Sequence, residues 1–395
     1  MTPYFQEFGW KPYVLTTEDG TYPSIDPSLL NDVHPTVEVY RTKPKEVFSL
    51  YNRFSGNKGK SGTVGFIGMN QKSLKQRMAM YIRANYFVPD ARMGWNKSAL
   101  TKAKEIIESE KIDALITTGP PHSTHLLGLE LKKSYGLKWI ADLRDPWVNV
   151  YYNKIFPRTR RTIAKDQALE NAVLNSADVI STVSQGLKQE FENRAKHIAV
   201  VYNGFEEEDF KHEAKKDSNK FTISYIGNFK PNQNVPVLWQ ALADLCLQNA
   251  DFKQKLRLRL IGNIHPDLIS SIEEAGLNEH LVISGFVSHK EAVELMKSSD
   301  RLLFIVPKTE GNKKILTGKL FEYLASETQL FSIGPIEGDA ANILNECQRM
   351  PMIDYADLNM MKEMILQKRV NGVSDEYKIY SRKTQASKLI DLLKN

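Results

Sequence analysis

Leu302-Leu303-Phe304-Ile305-Val306 opens the part of the chain from which the architecture can be read. Pro307 closes that run, and a loop rich in Lys, Gly and Asn leads to Thr317-Gly318-Lys319-Leu320-Phe321-Glu322-Tyr323-Leu324-Ala325. Leu330-Phe331-Ser332-Ile333-Gly334 follows. The first and last segments have the length and apolar content of buried parallel strands, and the middle one reads as a short helix. In such a βαβ unit the loop after the first strand lies at the carboxyl edge of the sheet, where ligands bind. Thr317 and Gly318 stand where the helix begins, so free N–H groups and the positive end of its dipole face an anion there. Lys319 adds a full charge. Glu322, three residues on, shares the helix face and can accept hydrogen bonds from sugar hydroxyls. Phosphate at one end and ribose at the other is what a nucleotide needs. The plainer alternative is that Thr317 is an N-cap, Lys319 a solvated charge and Glu322 an acid favoured in a first turn.

Working outward, 395 residues suggest two domains or three, since single cores seldom grow beyond ~250–300 residues. A hydrophobic content of 42% with 25% charged residues describes a soluble globular protein. The net charge of +6 suits phosphorylated or anionic partners, but no basic block argues for nucleic acid. Cys246 and Cys347 are far apart and lack metal or CxxC spacing, which fits a reduced cytosol. No run of ~20 apolar residues spans a membrane, and the N-terminus lacks a signal-peptide layout.

The chain opens with Tyr4–Trp10, which reads as the tail of a helix closed by Gly9, and a strand at Tyr13–Thr16. A strand at Thr36–Arg41 and a helix near Lys45–Phe54 come next, then a loop marked by glycines 56, 59, 62 and 65. Lys72–Phe87 mixes Lys and Arg with Leu74, Met78, Met80, Tyr81 and Ile82. It reads as a surface helix or as a basic amphipathic helix lying on an anionic membrane. Helix Ser98–Glu110 leads into strand Ala114–Thr118 and then Gly119-Pro120-Pro121-His122-Ser123, which starts another helix. Strand Trp139–Leu143 delivers Asp142-Leu143-Arg144-Asp145-Pro146-Trp147. His122 is either a ligand contact or a capping residue, and Asp142 with Arg144 either chemistry or an internal ion pair. Strand Ala177–Ser184 precedes helix Gln185–Asn193, and strand Ile198–Tyr202 is closed by Asn203-Gly204-Phe205. Glu206–Lys220 is the best linker. The α/β rhythm then restarts with strands at Phe221–Ile226, Leu256–Ile261 and Leu281–Ser284, and helices at Val235–Gln248, Pro266–Ala275 and His289–Ser298. A final amphipathic helix spans Tyr377–Leu393.

Taken in order, Gly119–Ser123, Asp142–Trp147, Ala177–Ser184, Tyr202–Phe205, Ser224–Phe229, Leu260–Gly262 and Gly318–Leu324 resemble the family 4 type glycosyltransferases of the GT-B fold. The resemblance covers nearly the whole chain and implies an α/β protein of two Rossmann-like domains facing across a cleft. Residues 1–205 would form the acceptor-side domain and 206–376 the nucleotide-sugar domain, with 377–395 packing back on the first. It further implies metal-independent, retaining transfer of a sugar from a nucleotide-sugar substrate, without another cofactor. The acceptor would be a glycan or lipid-linked molecule in surface polysaccharide synthesis, with the enzyme cytoplasmic or peripheral at the inner membrane face. Lys319 and the N–H groups of Thr317 and Gly318 would take the donor phosphates and Glu322 the ribose. Gly227, Asn228, Lys230 and Gly262 would line the donor. His122 would contact the donor sugar, Asp142 and Arg144 would shape the acceptor side, and Asp145, Ser184 and Asn203 would sit nearby. Positive charge at the leaving diphosphate would be the largest catalytic contribution.

Two departures stand out. Related enzymes often carry a glutamate pair eight residues apart. Glu322 fits the later position, but Lys314 stands at the earlier one and Glu310 is out of register. The first strand and its glycine loop are also missing, so the natural chain is expected to begin about 20–30 residues earlier with an apolar strand and a glycine turn. Two other readings share the fold: a nucleotide-sugar epimerase, which needs no acceptor, and a non-catalytic copy that binds nucleotide without turning it over.

Overall fold

The computed structural model describes residues 1–18, 33–44, 74–367 and 374–394. The expected helix near Lys45–Phe54 and the glycine-marked loop lie outside the described residues. The chain divides into two compact units, Met1–Tyr202 with Ala386–Asn395, and Asn203–Gln385.

The first unit starts with a 3-10 helix, Thr2–Phe8, closed by Gly9 at φ 81. Its strands are β1 (Tyr13–Thr17), β2 (Glu38–Thr42), β3 (Ala114–Gly119), β4 (Lys138–Leu143), β5 (Val179–Thr182) and β6 (Ile198–Val200). Its helices are α1 (Leu74–Tyr86), α2 (Asn96–Glu110), α3 (Ser123–Tyr135), α4 (Arg160–Ser176) and α5 (Gln185–Phe191). β3-β4-β5-β6 form one parallel sheet, while β1 and β2 pair only with each other among the described residues. β4 and β5 are buried almost throughout, as expected of strands covered on both faces. Ile140 and Val179 share an apolar cluster with Phe5 and with Ala386, Leu389 and Ile390 near the chain's end.

In the second unit the strands are β7 (Phe221–Ile226), β8 (Leu256–Ile261), β9 (Leu281–Ser284), β10 (Arg301–Ile305) and β11 (Leu330–Ile333). The helices are α6 (Pro236–Gln248), α7 (Ala250–Lys255), α8 (Pro266–Glu274), α9 (His289–Lys297), α10 (Gly318–Ala325), α11 (Asp339–Glu346) and α12 (Leu358–Leu366); α13 (Arg382–Lys394) starts in this unit, and from Ala386 on it belongs to the first. The parallel sheet has the order β11-β10-β7-β8-β9. The chain therefore runs outward from β7 to β9, then returns to lay β10 on the other side of β7. The crevice between the carboxyl ends of β7 and β10 is the point where strand order reverses, and in such sheets that crevice holds the ligand. Both units are Rossmann-like, so the protein is an α/β chain of two such domains.

The structure departs from the sequence reading at several places, α7, α11 and α12 among them, and two of these bear on the architecture. The expected single helix Tyr377–Leu393 is broken into a 3-10 turn, Asp375–Tyr380, and α13. Ser381 between them is extended at φ −63, ψ 146, because its backbone pairs with Phe205. Phe205 N donates to the Tyr380 carbonyl at 3.2 Å and Arg382 N to the Phe205 carbonyl at 2.8 Å. The 17-residue α4 was not foreseen; its start is marked by Thr159, whose hydroxyl accepts from Thr162 N.

Candidate active site

Three cross-links knit the crevice of the second unit. Gln233, in the loop after β7, donates through Nε2 to the Ile305 carbonyl at the end of β10 at 2.9 Å. Lys308 N donates to the Asn232 carbonyl at 2.7 Å. From α10, Tyr323 presents its hydroxyl oxygen to Ile226 N at 3.0 Å. The loops after β7 and β10 are thus fixed to each other, and α10 to the end of β7.

Gly227 and Gly262 end β7 and β8 with φ of +120° and +109°, a region that L side chains rarely adopt. Their backbones nearly touch: a Cβ on Gly262 would lie 2.6 Å from the Gly227 oxygen. On its other side, a Cβ on Gly227 would come within 3.1 Å of Lys319 Nζ. The missing side chain leaves the lysine room at the strand end.

Lys319 Nζ lies 3.7 Å from the centroid of the Tyr225 ring, a cation–π contact. Tyr225 is fixed in turn: its hydroxyl donates to the Asn228 carbonyl at 2.7 Å and its ring stacks on Phe229. Burial pushes the Lys319 ammonium down to about 7, with Lys230 adding to the effect and Glu322 opposing it. The half-buried lysine has no hydrogen-bonded or ion-paired partner among the described residues. Glu322, one turn along α10, is likewise half-buried. Burial raises its carboxyl above the usual range, against the pull of His289, Arg382 and Lys319.

The sequence reading missed His289, Asp209 and Arg382. His289 Nε2 donates to Asp209 Oδ2 at 2.7 Å. That hydrogen bond holds the imidazole above its ordinary value, with Glu322 adding to the shift and burial and Arg382 opposing it. The signal was available: Ser288-His289 starts the helix that follows β9, as Thr317-Gly318 starts the one that follows β10. Thr317 stands at the N-cap of α10 in extended conformation, but its side chain makes no capping bond. Asn228 is exposed and Lys230 half-buried beside the same strand end. Asn203 approaches Gly318, whose added Cβ would meet the Asn203 Cβ at 3.8 Å. Lys314 lies in a 3-10 turn, Asn312–Lys314, ahead of α10.

In the first unit the strand ends are arranged differently. Thr118, Asp142 and Ser181 sit side by side on β3, β4 and β5. Asp142 is buried; its two oxygens accept from the Thr118 and Ser181 hydroxyls, each at 2.8 Å, and Arg144 Nη1 is 3.8 Å away. Ser184 is buried and caps α5 by accepting from Leu187 N. Asp145 belongs to the loop that leads on to Trp147.

His122 precedes α3, whose first N–H is already taken: Ser123 N donates to Asp90 Oδ2 at 2.8 Å. The His122 ring stacks on Trp147 at 4.9 Å between centroids. Trp147 is anchored through Nε1 to Asp166, which pairs with Arg158. Both His122 ring nitrogens and Nε2 of the neighbouring His125 are buried without a hydrogen-bond partner among the described residues. Burial pushes the His122 imidazole down to about 4; the Pro146 carbonyl partly offsets this without forming a hydrogen bond of normal geometry. His125, fully buried, is also pushed down.

Two family models match adjoining stretches: "Glycosyltransferase Family 4" over residues 71–209 and "Glycosyl transferases group 1" over residues 206–312. The chain belongs to the family 4 type glycosyltransferases of the GT-B fold. Solved structures similar to this glycosyltransferase share its fold at low identity. Sucrose-phosphate synthase from Thermosynechococcus elongatus is 11% identical, with a TM-score of 0.62 over 100% of this chain and 90% of that one. An alpha,alpha-trehalose-phosphate synthase (UDP-forming) from Burkholderia xenovorans is 10% identical, with a TM-score of 0.59 over 97% and 100%. WaaG, a glycosyltransferase involved in lipopolysaccharide biosynthesis, is 12% identical, with a TM-score of 0.52 over 99% and 89%. No curated protein matches the sequence. The group 1 model ends at residue 312, so the placement of Thr317–Glu322 in this glycosyltransferase rests on geometry. Among the described residues no cluster of three or more His, Cys, Asp or Glu could hold a metal, and no helix is long and apolar enough to cross a membrane.

Proposed function

We propose that this glycosyltransferase moves a sugar from a nucleoside-diphosphate sugar to a glycan or lipid-linked acceptor, with retention of configuration and in surface polysaccharide assembly. The observation that carries the reading is Lys319, a half-buried ammonium over the Tyr225 ring beside the end of β7, with no hydrogen-bonded or ion-paired partner among the described residues. A diphosphate supplies the missing charge. As the glycosidic bond breaks, negative charge grows on the leaving diphosphate, and Lys319 with the uncapped start of α10 stabilises it. In this reading protein groups do that work without a metal. Glu322 accepts the ribose hydroxyls, and Gly227 and Gly262 let the nucleotide approach the backbone. His122, neutral at pH 7, is proposed as the first unit's contribution to the transfer step, with Arg144 on the acceptor side. A UDP-forming enzyme and one involved in lipopolysaccharide biosynthesis among the structures of similar fold support this direction.

The test is calorimetry with UDP and GDP on the native chain and Lys319→Ala. One nucleotide should bind, and the substitution should weaken it by about 1.5–3 kcal/mol, the range for a charge-assisted hydrogen bond. Unchanged affinity would sink the assignment. Incubating a panel of donors without acceptor, with mass detection, tells transfer from epimerisation, since an epimerase releases UDP and an altered sugar from donor alone.

A further inference from the structure

Two segments of the first unit, remote in sequence, form one surface. Asn85, near the end of α1, accepts through Oδ1 from Thr159 N at 2.8 Å and from Thr162 Oγ1 at 2.7 Å. Its Nδ2 donates to the Pro157 carbonyl at 2.9 Å. The Arg83 guanidinium lies over the Phe156 ring at 5.7 Å. These contacts fix residues 156–162 against the end of α1.

Many of the side chains this surface turns outward are apolar. Leu74, Met78, Tyr81, Ile82 and Tyr86 are 78%, 60%, 44%, 41% and 73% exposed. Their spacing puts them on one stripe of the helix, and Asn85 falls within it, one turn from Tyr81 and Ile82. The docked segment therefore continues the stripe and adds Ile155 and Ile163, also exposed. Surface helices ordinarily turn such a stripe to the core. An exposed apolar area of this extent marks an interaction surface.

Charge identifies the partner. Residues 74–86 and 151–165 contain no aspartate or glutamate, while Arg77, Arg160, Arg161 and Lys165 are exposed among them. Apolar side chains that reach the acyl boundary, surrounded by cations that meet headgroup phosphates, make an interfacial surface. We propose that α1 and the segment from residue 154 to 165 dock the first unit on an anionic lipid bilayer. The docking stands apart from nucleotide binding, which uses other residues in the other unit.

The experiment is co-sedimentation of the full chain with phosphatidylcholine vesicles and with vesicles of 3:1 phosphatidylcholine to phosphatidylglycerol. Binding is expected only to the anionic vesicles and should fall with added salt. Met78→Glu/Tyr81→Glu and, separately, Arg160→Glu/Arg161→Glu should each weaken it by at least about tenfold. UDP or GDP binding should remain as in the parent chain. The second pair changes only exposed side chains, so its effect can be read even if the first pair disturbs folding. Equal sedimentation with both vesicle types, none with either, or insensitivity to both pairs would overturn the proposal. So would light scattering that shows a dimer dissociated by these substitutions, since the surface would then face a second copy of the chain.

Discussion

At the carboxyl ends of the first sheet, Asp142 is buried and bonded to two hydroxyls, whereas at the carboxyl ends of the second, Lys319 and Glu322 stand half-buried without hydrogen-bonded partners among the described residues. The start of α3 is filled by Asp90, while α10 starts without a side-chain cap. Two sheets of related design thus use their polar strand ends in opposite ways. In the first unit most of these groups hold strands and helix ends together. In the second, Lys319 and Glu322 carry charge that no hydrogen bond holds among the described residues, which is the feature the proposed nucleotide binding uses. His122 is the exception in the first unit, with two buried nitrogens that have no hydrogen-bond partner among the described residues.

The sharpest way to break this contrast is to remove Asp142. Its loss strands the Thr118 and Ser181 hydroxyls and empties a bonded site between three strands. Asp142→Ala should cost about 3–5 kcal/mol of stability in urea unfolding, and Asp142→Asn less, because the amide keeps one acceptor. A protein as stable as the parent would mean that Asp142 is not what holds these strand ends. Next in size is Lys319→Ala, which should weaken nucleotide binding by about 1.5–3 kcal/mol while leaving the second unit folded and no less stable, because it removes a charge that burial disfavours. If the lysine substitution instead unfolds the second unit, its charge is structural and the contrast between the units disappears.

Much of this was legible in the chain because apolar runs and turn residues are local signals. Phe221–Ile226, Leu256–Ile261 and Leu281–Ser284 were read with the bounds they have in the structure. Thr317-Gly318 was read as a helix start from its place after a buried run. Hidden from that reading was whatever depends on distant partners. Asp142 looked equally like chemistry or an ion pair, and only the register of β3, β4 and β5 shows that it meets Thr118 and Ser181. His289 gained interest through Asp209, eighty residues away. The break at Ser381 follows from its pairing with Phe205, which no helical pattern encodes. The resemblance supplied the roles of the residues, and the structure supplies their surroundings.

A smaller effect is expected from the histidine that departs from the pattern. His122 is neutral in the folded chain down to about pH 4, whereas an unfolded histidine takes its proton near pH 6.5. Between those values the unfolded state binds more protons, so stability falls as pH drops through the window and is fully present above it. From pH 7 to pH 5 the loss attributable to His122 should be about 2 kcal/mol. His122→Gln should remove that slope, and His125 should leave a remainder, since it too is held neutral by burial. A parent and variant with the same pH dependence of unfolding would place His122 in a wetter setting than its ring stack on Trp147 suggests.

The smallest effect bears most directly on the second unit. With its ammonium pushed down to about 7, Lys319 is mostly neutral at pH 8 in the free protein. A bound diphosphate favours the charged form, so nucleotide binding above pH 7 should take up a proton. Between pH 7.5 and 8.5 the nucleotide's own terminal phosphate is already ionised, since its second pKa is near 6. Affinity should therefore fall by nearly tenfold over that unit, about 1.2 kcal/mol. Calorimetry in buffers of different ionisation enthalpy reads the proton count directly, with a value approaching one at pH 8. Lys319→Arg supplies the control, because a guanidinium stays charged throughout. If it binds nucleotide at all, its affinity should be flat with pH and its proton uptake close to zero. A native chain whose affinity is also flat would mean that the lysine is already charged before the ligand arrives. Its burial over Tyr225 would then have no part in tuning the site.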